Sequence, residues 1–446
     1  MPASEIHLSI LERHLTLRRY PLLPKEFHRA WDAADELAAW FVLGSADAAK
    51  SGAGGDLPVP KANHRWPQEK LNEVGGGESP LAELFRRINT MSPPHCLVVN
   101  DNFGCLTLLL ATLGLKPWVL NDSWCAMESL WQNAIANDIE LDSLRFLTSQ
   151  DPLPEEIDLV LMRAAGRHDE RERIDQLLQP NLAPNARIIT AAMLKANLHS
   201  ELGPTLHSSI WRKACLHLTV PDMTPGAAEP VDTAAATVEH DGLQFTVLPG
   251  VFSGRADDAG PTLDPGTAFL LSNLPAVDEI SAGIDLIDLG CGTGVLGIVM
   301  AKRLQTSGST PRSVRFFDES ALAVECTRLN AISHLDDFAD EAVSIEWLDC
   351  LTDVEADSAD LVLCNPPFHA GNVRTDAVAW RMFTHVFRVL RKGGRFRLVG
   401  NRHLHYHAKL SKIFGNHKVI ASDSRYVILD AVKGVQSKPA ESGSNG

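Results

Sequence analysis

The sequence predicts an α/β fold made of two tandem, doubly wound units with mainly parallel sheets. Three observations lead there. Short apolar strands alternate with amphipathic helices, the pattern of a parallel sheet covered on both faces. The same succession of elements occurs twice. A Pro/Ala-rich stretch, PDMTPGAAEPVDTAAAT at 221–237, separates the two runs. The expected organisation is a first domain at 1–222, a linker at 223–237, a second domain at 238–433 and a disordered tail at 434–446.

In chain order, the N-terminus MPASEIHLSILERHLTLRRY lacks the charged-then-apolar layout of a signal peptide, so the expected location is the cytoplasm. Residues 46–80, rich in Gly, Ala and Pro, read as a surface excursion. HCLVVND then gives a strand, FG a turn and CLTLLLATLG a helix. In the second half IDLIDL, a glycine-rich turn and VLGIVMAKRL repeat that order. Next, Asn121, Ser123, Glu128, Asn133 and Ala134 align with Asp318, Ser320, Glu325, Asn330 and Ala331 at a constant offset of 197. DLVL at 158–161 matches DLVL at 360–363, and ARIIT at 186–190 matches GRFRL at 394–398. Matches kept in this order point to a duplication.

Composition sets the outer bounds. With 446 residues, 45% apolar and 22% charged, the chain is neither disordered throughout nor a fibre or coiled-coil rod. Eight cysteines form no C-x-x-C pair, which suits reduced thiols and not a zinc site or disulfide framework. No run of eighteen apolar residues occurs, so no spanning helix is expected. The net charge of -15 argues globally against a nucleic-acid partner.

The chemistry-bearing motifs lie in the second half. Asp288-Leu289-Gly290-Cys291-Gly292-Thr293-Gly294 follows a strand and opens a helix. Gly290, Gly292 and Gly294 permit a tight turn and close approach of a ligand. The leading Asp288 suits a cationic ligand, such as the amino group of S-adenosyl-L-methionine, better than a pyrophosphate. Asp318 ends the strand SVRFF and can accept hydrogen bonds from both ribose hydroxyls. An N-cap role competes with that reading, although Ser320 can serve as the cap. Asp349, in SIEWLDCL, is placed to meet an adenine amino group, but acids at strand ends are common.

Asn365-Pro366-Pro367-Phe368-His369 follows the buried strand DLVLC. The two prolines fix the backbone and remove two donors. Outward carbonyls and the Asn365 side chain can then take both hydrogens of a planar exocyclic amine. Aiming that poor nucleophile at an electrophilic methyl is catalysis by positioning. Phe368 can stack on the base. These four residues are the catalytic candidates.

D-x-G-x-G-x-G followed by N-P-P-F resembles the class I S-adenosylmethionine-dependent amino methyltransferases. NPPFH behind a degenerate first copy resembles the ribosomal RNA guanine-N2 methyltransferases. LTLRRYP, AWDAADEL, PGVFS, LDPGTAFLL and NRHLHYHAKLSKIFG look more like the large-subunit (23S) than the small-subunit (16S) members. The resemblance implies two Rossmann-like methyltransferase domains. It also implies S-adenosyl-L-methionine on Asp288, Gly290, Gly292, Gly294, Asp318, Asp349 and Asn365. Asn365, Pro366, Pro367 and Phe368 then hold a target guanine of 23S rRNA. No metal and no membrane are implied, and the chain is expected to be a monomer.

In the first copy, Asn100-Asp101-Asn102-Phe103-Gly104 replaces the glycine-rich turn, and Asn121 stands for Asp318 with Asp122 beside it. Met162-Arg163-Ala164-Ala165-Gly166 replaces the strand-end motif. This copy is expected to bind no cofactor and to bind RNA or buttress its twin. Arg163 and Arg167 are compatible with phosphate contact, or with plain solvated surface. Residues 223–380 carry 7 Lys+Arg against 25 Asp+Glu, whereas 381–422 carry 10 Lys+Arg, no acid and five His. That basic segment, with Arg374, Arg402 and His403 nearest the motif, is the expected RNA face. Methylation of adenine N6 or of a glutamine amide, and a noncatalytic assembly factor, stay open at this point.

Overall fold

In the computed structural model the described residues are 6–10, 13–21, 29–51, 81–87, 90, 93–164, 168–194, 202–222, 235–251, 262–367 and 373–434. The expected linker is corrected at its end, since Ala236 and Thr237 already pair in a strand. The expected excursion is corrected at its start, since residues 46–51 end a helix with Ala46 buried. The rest of both, at 223–234 and 52–80, and the tail beyond residue 434 lie outside the described residues. The chain divides into two compact units, residues 1–233 and 234–446.

The first unit opens with the hairpin β1 (Ile6–Ile10) and β2 (Arg13–Leu17) and the helix Ala33–Ser51. Its sheet is built from β3 (Cys96–Val99), β4 (Trp118–Leu120), β5 (Arg145–Leu147), β6 (Ile157–Arg163), β7 (Leu182–Met193), β8 (Thr205–Trp211) and β9 (Ala214–Thr219). Their order is β5-β4-β3-β6-β7-β9-β8, with only the β7–β9 and β8–β9 pairs antiparallel.

The second unit opens with the hairpin β10 (Ala236–His240) and β11 (Leu243–Val247) and the short helix Pro265–Leu271. Its strands are β12 (Asp285–Leu289), β13 (Ser313–Asp318), β14 (Val343–Trp347), β15 (Ala359–Cys364), β16 (Leu390–Asn401), β17 (Lys418–Ser422) and β18 (Tyr426–Val432). The order β14-β13-β12-β15-β16-β18-β17 repeats that of the first unit, again with two antiparallel pairs at one edge. The expected doubly wound fold is present twice.

The likeness extends to single residues. β7 and β16 are both twelve residues long and share one alternation of buried and exposed positions. Each has a register irregularity against its parallel neighbour, between Ile157 and Leu159 and between Ala359 and Leu361. Central strands carry continuous apolar runs because helices cover both faces. All five residues of β12 are buried, and Leu286, Phe316, Leu361 and Leu363 meet in one core.

A buried asparagine ties each hairpin to its unit. Asn330 accepts from the Thr246 amide at 2.8 Å and donates to the carbonyls of Thr246 and Thr293 at 2.9 and 2.8 Å. Asn133 makes the same three contacts with Arg18 and Phe103. Chain segments far apart in sequence thereby settle their backbone hydrogen bonds on one side chain. Asn330→Ala leaves three buried groups unpaired, and urea unfolding should show a loss of about 3 kcal/mol. A change under about 0.5 kcal/mol would contradict this reading.

Candidate active site

Chain direction in the sheet changes at β12. From there the chain moves outward through β13 and β14, then returns to β15 on the other side. Ligands of open α/β sheets sit outside the carboxyl ends of the strands at such a switch point. Leu289 pairs with Cys364 there, so the residues that follow them emerge side by side. A Cβ on Gly290 would lie 4.0 Å from the carbonyl oxygen of Asn365. The glycine turn and the Asn-Pro-Pro turn, 71 positions apart by residue number, thus form one site.

The turn itself is held from below. The Gly290 amide donates to the Phe317 carbonyl at 2.8 Å, and the Thr327 hydroxyl donates to the Gly292 carbonyl at 3.0 Å. Gly294 caps the helix Val295–Thr306 at φ 77°, and a Cβ there would approach Thr327 Cγ2 to 2.9 Å. Only glycine meets both demands. A Cβ on Gly292 would meet nothing within 4 Å, so this side of the turn is open to a ligand.

Three acids stand at or just past the carboxyl ends of β12, β13 and β14, in different surroundings. Asp288 is fully buried, and its Oδ2 accepts from the Gly297 amide at 2.8 Å. Its Oδ1 is buried with no hydrogen-bond partner. Burial pushes the carboxyl up to about 8, with the Gly297 bond opposing and Asp318 adding to the rise. Asp318 accepts from the Ser320 amide with Oδ1 and from the Gly292 amide with Oδ2, both at 3.0 Å. Ser320 is the helix cap, receiving the Ala323 amide, so Asp318 is not needed there. Each Asp318 oxygen keeps lone-pair capacity for a hydroxyl. Asp349 sits two residues past the end of β14 and pairs with Arg381. Beside that pair, burial pushes His385 down to about 4, helped by Arg381 and Arg388 and opposed by Asp349.

Asn365 is held by residues that sequence reasoning missed. Its Nδ2 donates to Asp264 Oδ2 at 2.9 Å and to Thr267 Oγ1 at 2.7 Å. Its Oδ1 is buried and unpartnered, a free acceptor at the site. Asp264 caps the helix Pro265–Leu271 through the Thr267 amide. The D-P-G-T start of that helix, an N-cap acid before a proline, was the available signal. Pro366 is buried and Pro367 exposed, while Phe368 and His369 lie outside the described residues.

Residues 242–430 match the methyltransferase small domain, and residues 65–221 match the RLMG N-terminal domain. The ribosomal RNA large subunit methyltransferase G of Shewanella denitrificans is 34% identical over 391 residues, 83% of this chain and 96% of that one. The chain belongs to the ribosomal RNA large subunit methyltransferase G family. The Aeromonas salmonicida member is 33% identical and covers 94% of this chain and 97% of its own. Among solved structures, the T. thermophilus 16S rRNA N2 methyltransferase, in complex with AdoMet and guanosine, aligns with a TM-score of 0.58. It is 20% identical and covers 78% of this chain and 90% of that chain, which supports the tandem fold.

In the first unit of this family member the same positions are filled differently. Gly104 keeps the φ of 77° seen at Gly294, and Asn100 takes φ 60° where Gly290 has 69°. The turn is therefore retained as backbone. Asp101, however, is buried and accepts from the Cys105 amide at 3.0 Å and the Thr107 amide at 2.8 Å, filling the helix start with an internal acceptor. Asp122 pairs with Arg173 at 2.8 Å and accepts from the Ser149 amide, so it is committed internally. Arg163 is neither a phosphate contact nor solvated surface. It pairs with Asp32 at 2.8 Å and Asp35 at 3.3 Å. Arg167 lies outside the described residues.

The basic segment also differs from its sequence reading. Arg381 pairs with Asp349, Arg391 with Asp285 and Asp360, Arg395 with Glu279, and buried Arg397 with Asp430. These four of the ten basic residues are matched to acids of the second unit, because the acid-rich stretch and the basic stretch fold onto one another. Lys392, Arg402, Lys412 and Lys418, by contrast, are exposed. Arg402 and His403 are exposed in the turn after β16, at the strand end shared with Cys364. Arg402 donates to the Asp423 carbonyl at 3.0 Å. The Arg374 side chain lies outside the described residues. Among the described residues there is no cluster suited to a metal ion and no helix able to cross a membrane.

The raised Asp288 carboxyl carries a sign for stability. An unfolded Asp titrates near 4, so the folded state holds the proton more tightly. Its contribution is complete below about pH 4 and is lost as pH rises through about 8. Asp288→Asn cannot titrate, so it should lose less stability than the wild type between about pH 5 and about pH 8. Urea midpoints at the two pH values check this, and parallel losses would contradict it.

Proposed function

We infer that the protein transfers a methyl group from S-adenosyl-L-methionine to the exocyclic N2 amine of a guanine in 23S rRNA. Family membership supports the reaction class and the rRNA substrate. The observation that carries it to atoms is the unpartnered Asn365 Oδ1 beside the glycine turn. A buried acceptor without a donor is costly, and an amine hydrogen satisfies it.

The residues fit the cofactor. Asp288 Oδ1, buried and unpartnered, suits its ammonium group, and Asp318 suits its ribose hydroxyls. The open side of Gly292 admits it close to the main chain. Asp349 keeps an oxygen for the adenine amine while its other oxygen faces Arg381. When bound, the cofactor supplies an electrophilic methyl on a sulfonium.

This chain supplies geometry. Asn365 Oδ1 accepts one hydrogen of the guanine amine, and a backbone carbonyl of the proline turn accepts the other. Pro366 and Pro367 offer no competing donor, and Phe368 stacks on the base. Those acceptors aim the amine lone pair along the line of the methyl transfer. The methylated amine is acidic and gives its proton to water, so no side chain is assigned as a strong base. Arg374, Arg402 and His403 lie after the proline turn in sequence and serve the RNA backbone in this reading.

The first unit does no chemistry in this reading. Asp101 fills its helix start, and Arg163 stands in the place of Asn365 without an acceptor face. The chain works as a monomer in the cytoplasm, its two units replacing two copies. Asn365→Ala should lower methyl transfer at least about 100-fold, while calorimetry shows S-adenosylmethionine affinity nearly unchanged. Full transfer by that variant would sink the assignment.

A further inference from the structure

We propose that Asp264 and Thr267 are positioning residues that fix which end of the Asn365 amide meets the substrate. The inference rests on the activity proposed above. An amide side chain has a donor end and an acceptor end of nearly equal size, exchanged by a half-turn. Only the acceptor end takes a hydrogen from an amine. A donor end in its place would set hydrogen against hydrogen and turn the amine away.

The neighbours of Asn365 allow one orientation. Asp264 Oδ2 receives Asn365 Nδ2 at 2.9 Å and the Thr267 amide at 2.8 Å, and a carboxylate has nothing to donate. The Thr267 hydroxyl lies 3.3 Å from the same oxygen and gives its hydrogen there. That leaves Thr267 Oγ1 as an acceptor for the second Asn365 hydrogen at 2.7 Å. Both amide hydrogens are thus consumed on the far side. Turning the amide over would point its oxygen at a carboxylate with no proton between them. Oδ1 is therefore held toward the site, where it has no other partner.

The first unit supplies an independent observation. There Arg163 follows Met162, which pairs with Val99 as Cys364 pairs with Leu289. Asp32, preceding the helix Ala33–Ser51, receives Arg163 Nη2 at 2.8 Å and the Ala34 amide at 2.8 Å. Asp35, three residues on as Thr267 is from Asp264, lies 3.3 Å from Arg163 Nε. A second acid replaces the hydroxyl where a cation replaces the amide. The holder is matched in charge to the group it holds, and in this copy the held group has no acceptor end.

Exchanging the two partners tests this. Initial-rate kinetics with unmodified 23S rRNA, nucleoside analysis and S-adenosylmethionine calorimetry would be run on four proteins. These are the wild type, Asp264→Ser, Asn365→Asp, and the double substitution of Asp264→Asn with Asn365→Asp. Serine keeps the helix cap, so Asp264→Ser should fold, bind the cofactor within about twofold, and lose at least about tenfold in kcat with KM little changed. Asn365→Asp sets two carboxylates against each other and should lose about 100-fold. The double substitution restores one donor and one carboxylate, with an oxygen still facing the substrate, and should recover at least about tenfold over Asn365→Asp. A purely structural Asp264 predicts no such recovery.

Wild-type kcat in Asp264→Ser, or a double variant no better than Asn365→Asp, overturns the inference while leaving the activity standing. If Asp264→Ser does not fold, the exchange alone decides. A wild-type protein that makes no N2-methylguanine overturns the activity, and the inference with it.

Discussion

Everything at the site depends on the parallel pairing of β12 with β15. That pairing sets Leu289 against Cys364, and the chain then turns out of the sheet from both strands at one place. A slip of one residue would send each side chain to the opposite face. Asp288 would then leave the start of its helix, and Asn365 would leave Asp264. The register is fixed by burial, since β12 and nearly all of β15 are enclosed. The core therefore determines the site geometry before any functional side chain is considered.

The duplication shows which parts of that arrangement are scaffold and which are chemistry. Both units keep the strand order, the left-handed turn residue before the first sheet helix, the buried asparagine that ties down the hairpin and the clamp onto an N-cap acid. They differ in what fills those places. In the second unit the buried atoms Asp288 Oδ1 and Asn365 Oδ1 stand without partners. In the first, Asp101 accepts from two helix amides and Arg163 pairs with two acids, although Arg163 Nη1 and Asn121 Nδ2 are buried without partners there. Uncompensated buried polar atoms are destabilising; these two in the second unit are acceptors, suited to hydrogens of a ligand, whereas the two in the first are donors.

Much of this was legible in the sequence because it is local. Strand alternation, the glycine turn, the Asn-Pro-Pro turn and the constant offset of 197 through one helix are each contained in a short window. What escaped depends on contacts across long stretches of chain. Asp264 and Asn365 are 101 positions apart, and Arg163 is 131 from Asp32. No periodicity links them, so Arg163 read as a surface charge and Asp264 as part of a family pattern only. The internal pairing of part of the basic run at 381–422 escaped for a related reason. Charge counted along the chain cannot reveal that Arg397 faces Asp430, or that Arg391 faces Asp285, inside the fold.

The most direct measurement of the central claim is the product. Unmodified 23S and 16S rRNA would each be incubated with methyl-labelled S-adenosylmethionine, then digested to nucleosides and mapped. The account predicts N2-methylguanine at one position of 23S rRNA, with no label in 16S rRNA. Label in N6-methyladenine, label confined to 16S rRNA, or no transfer to either would contradict it.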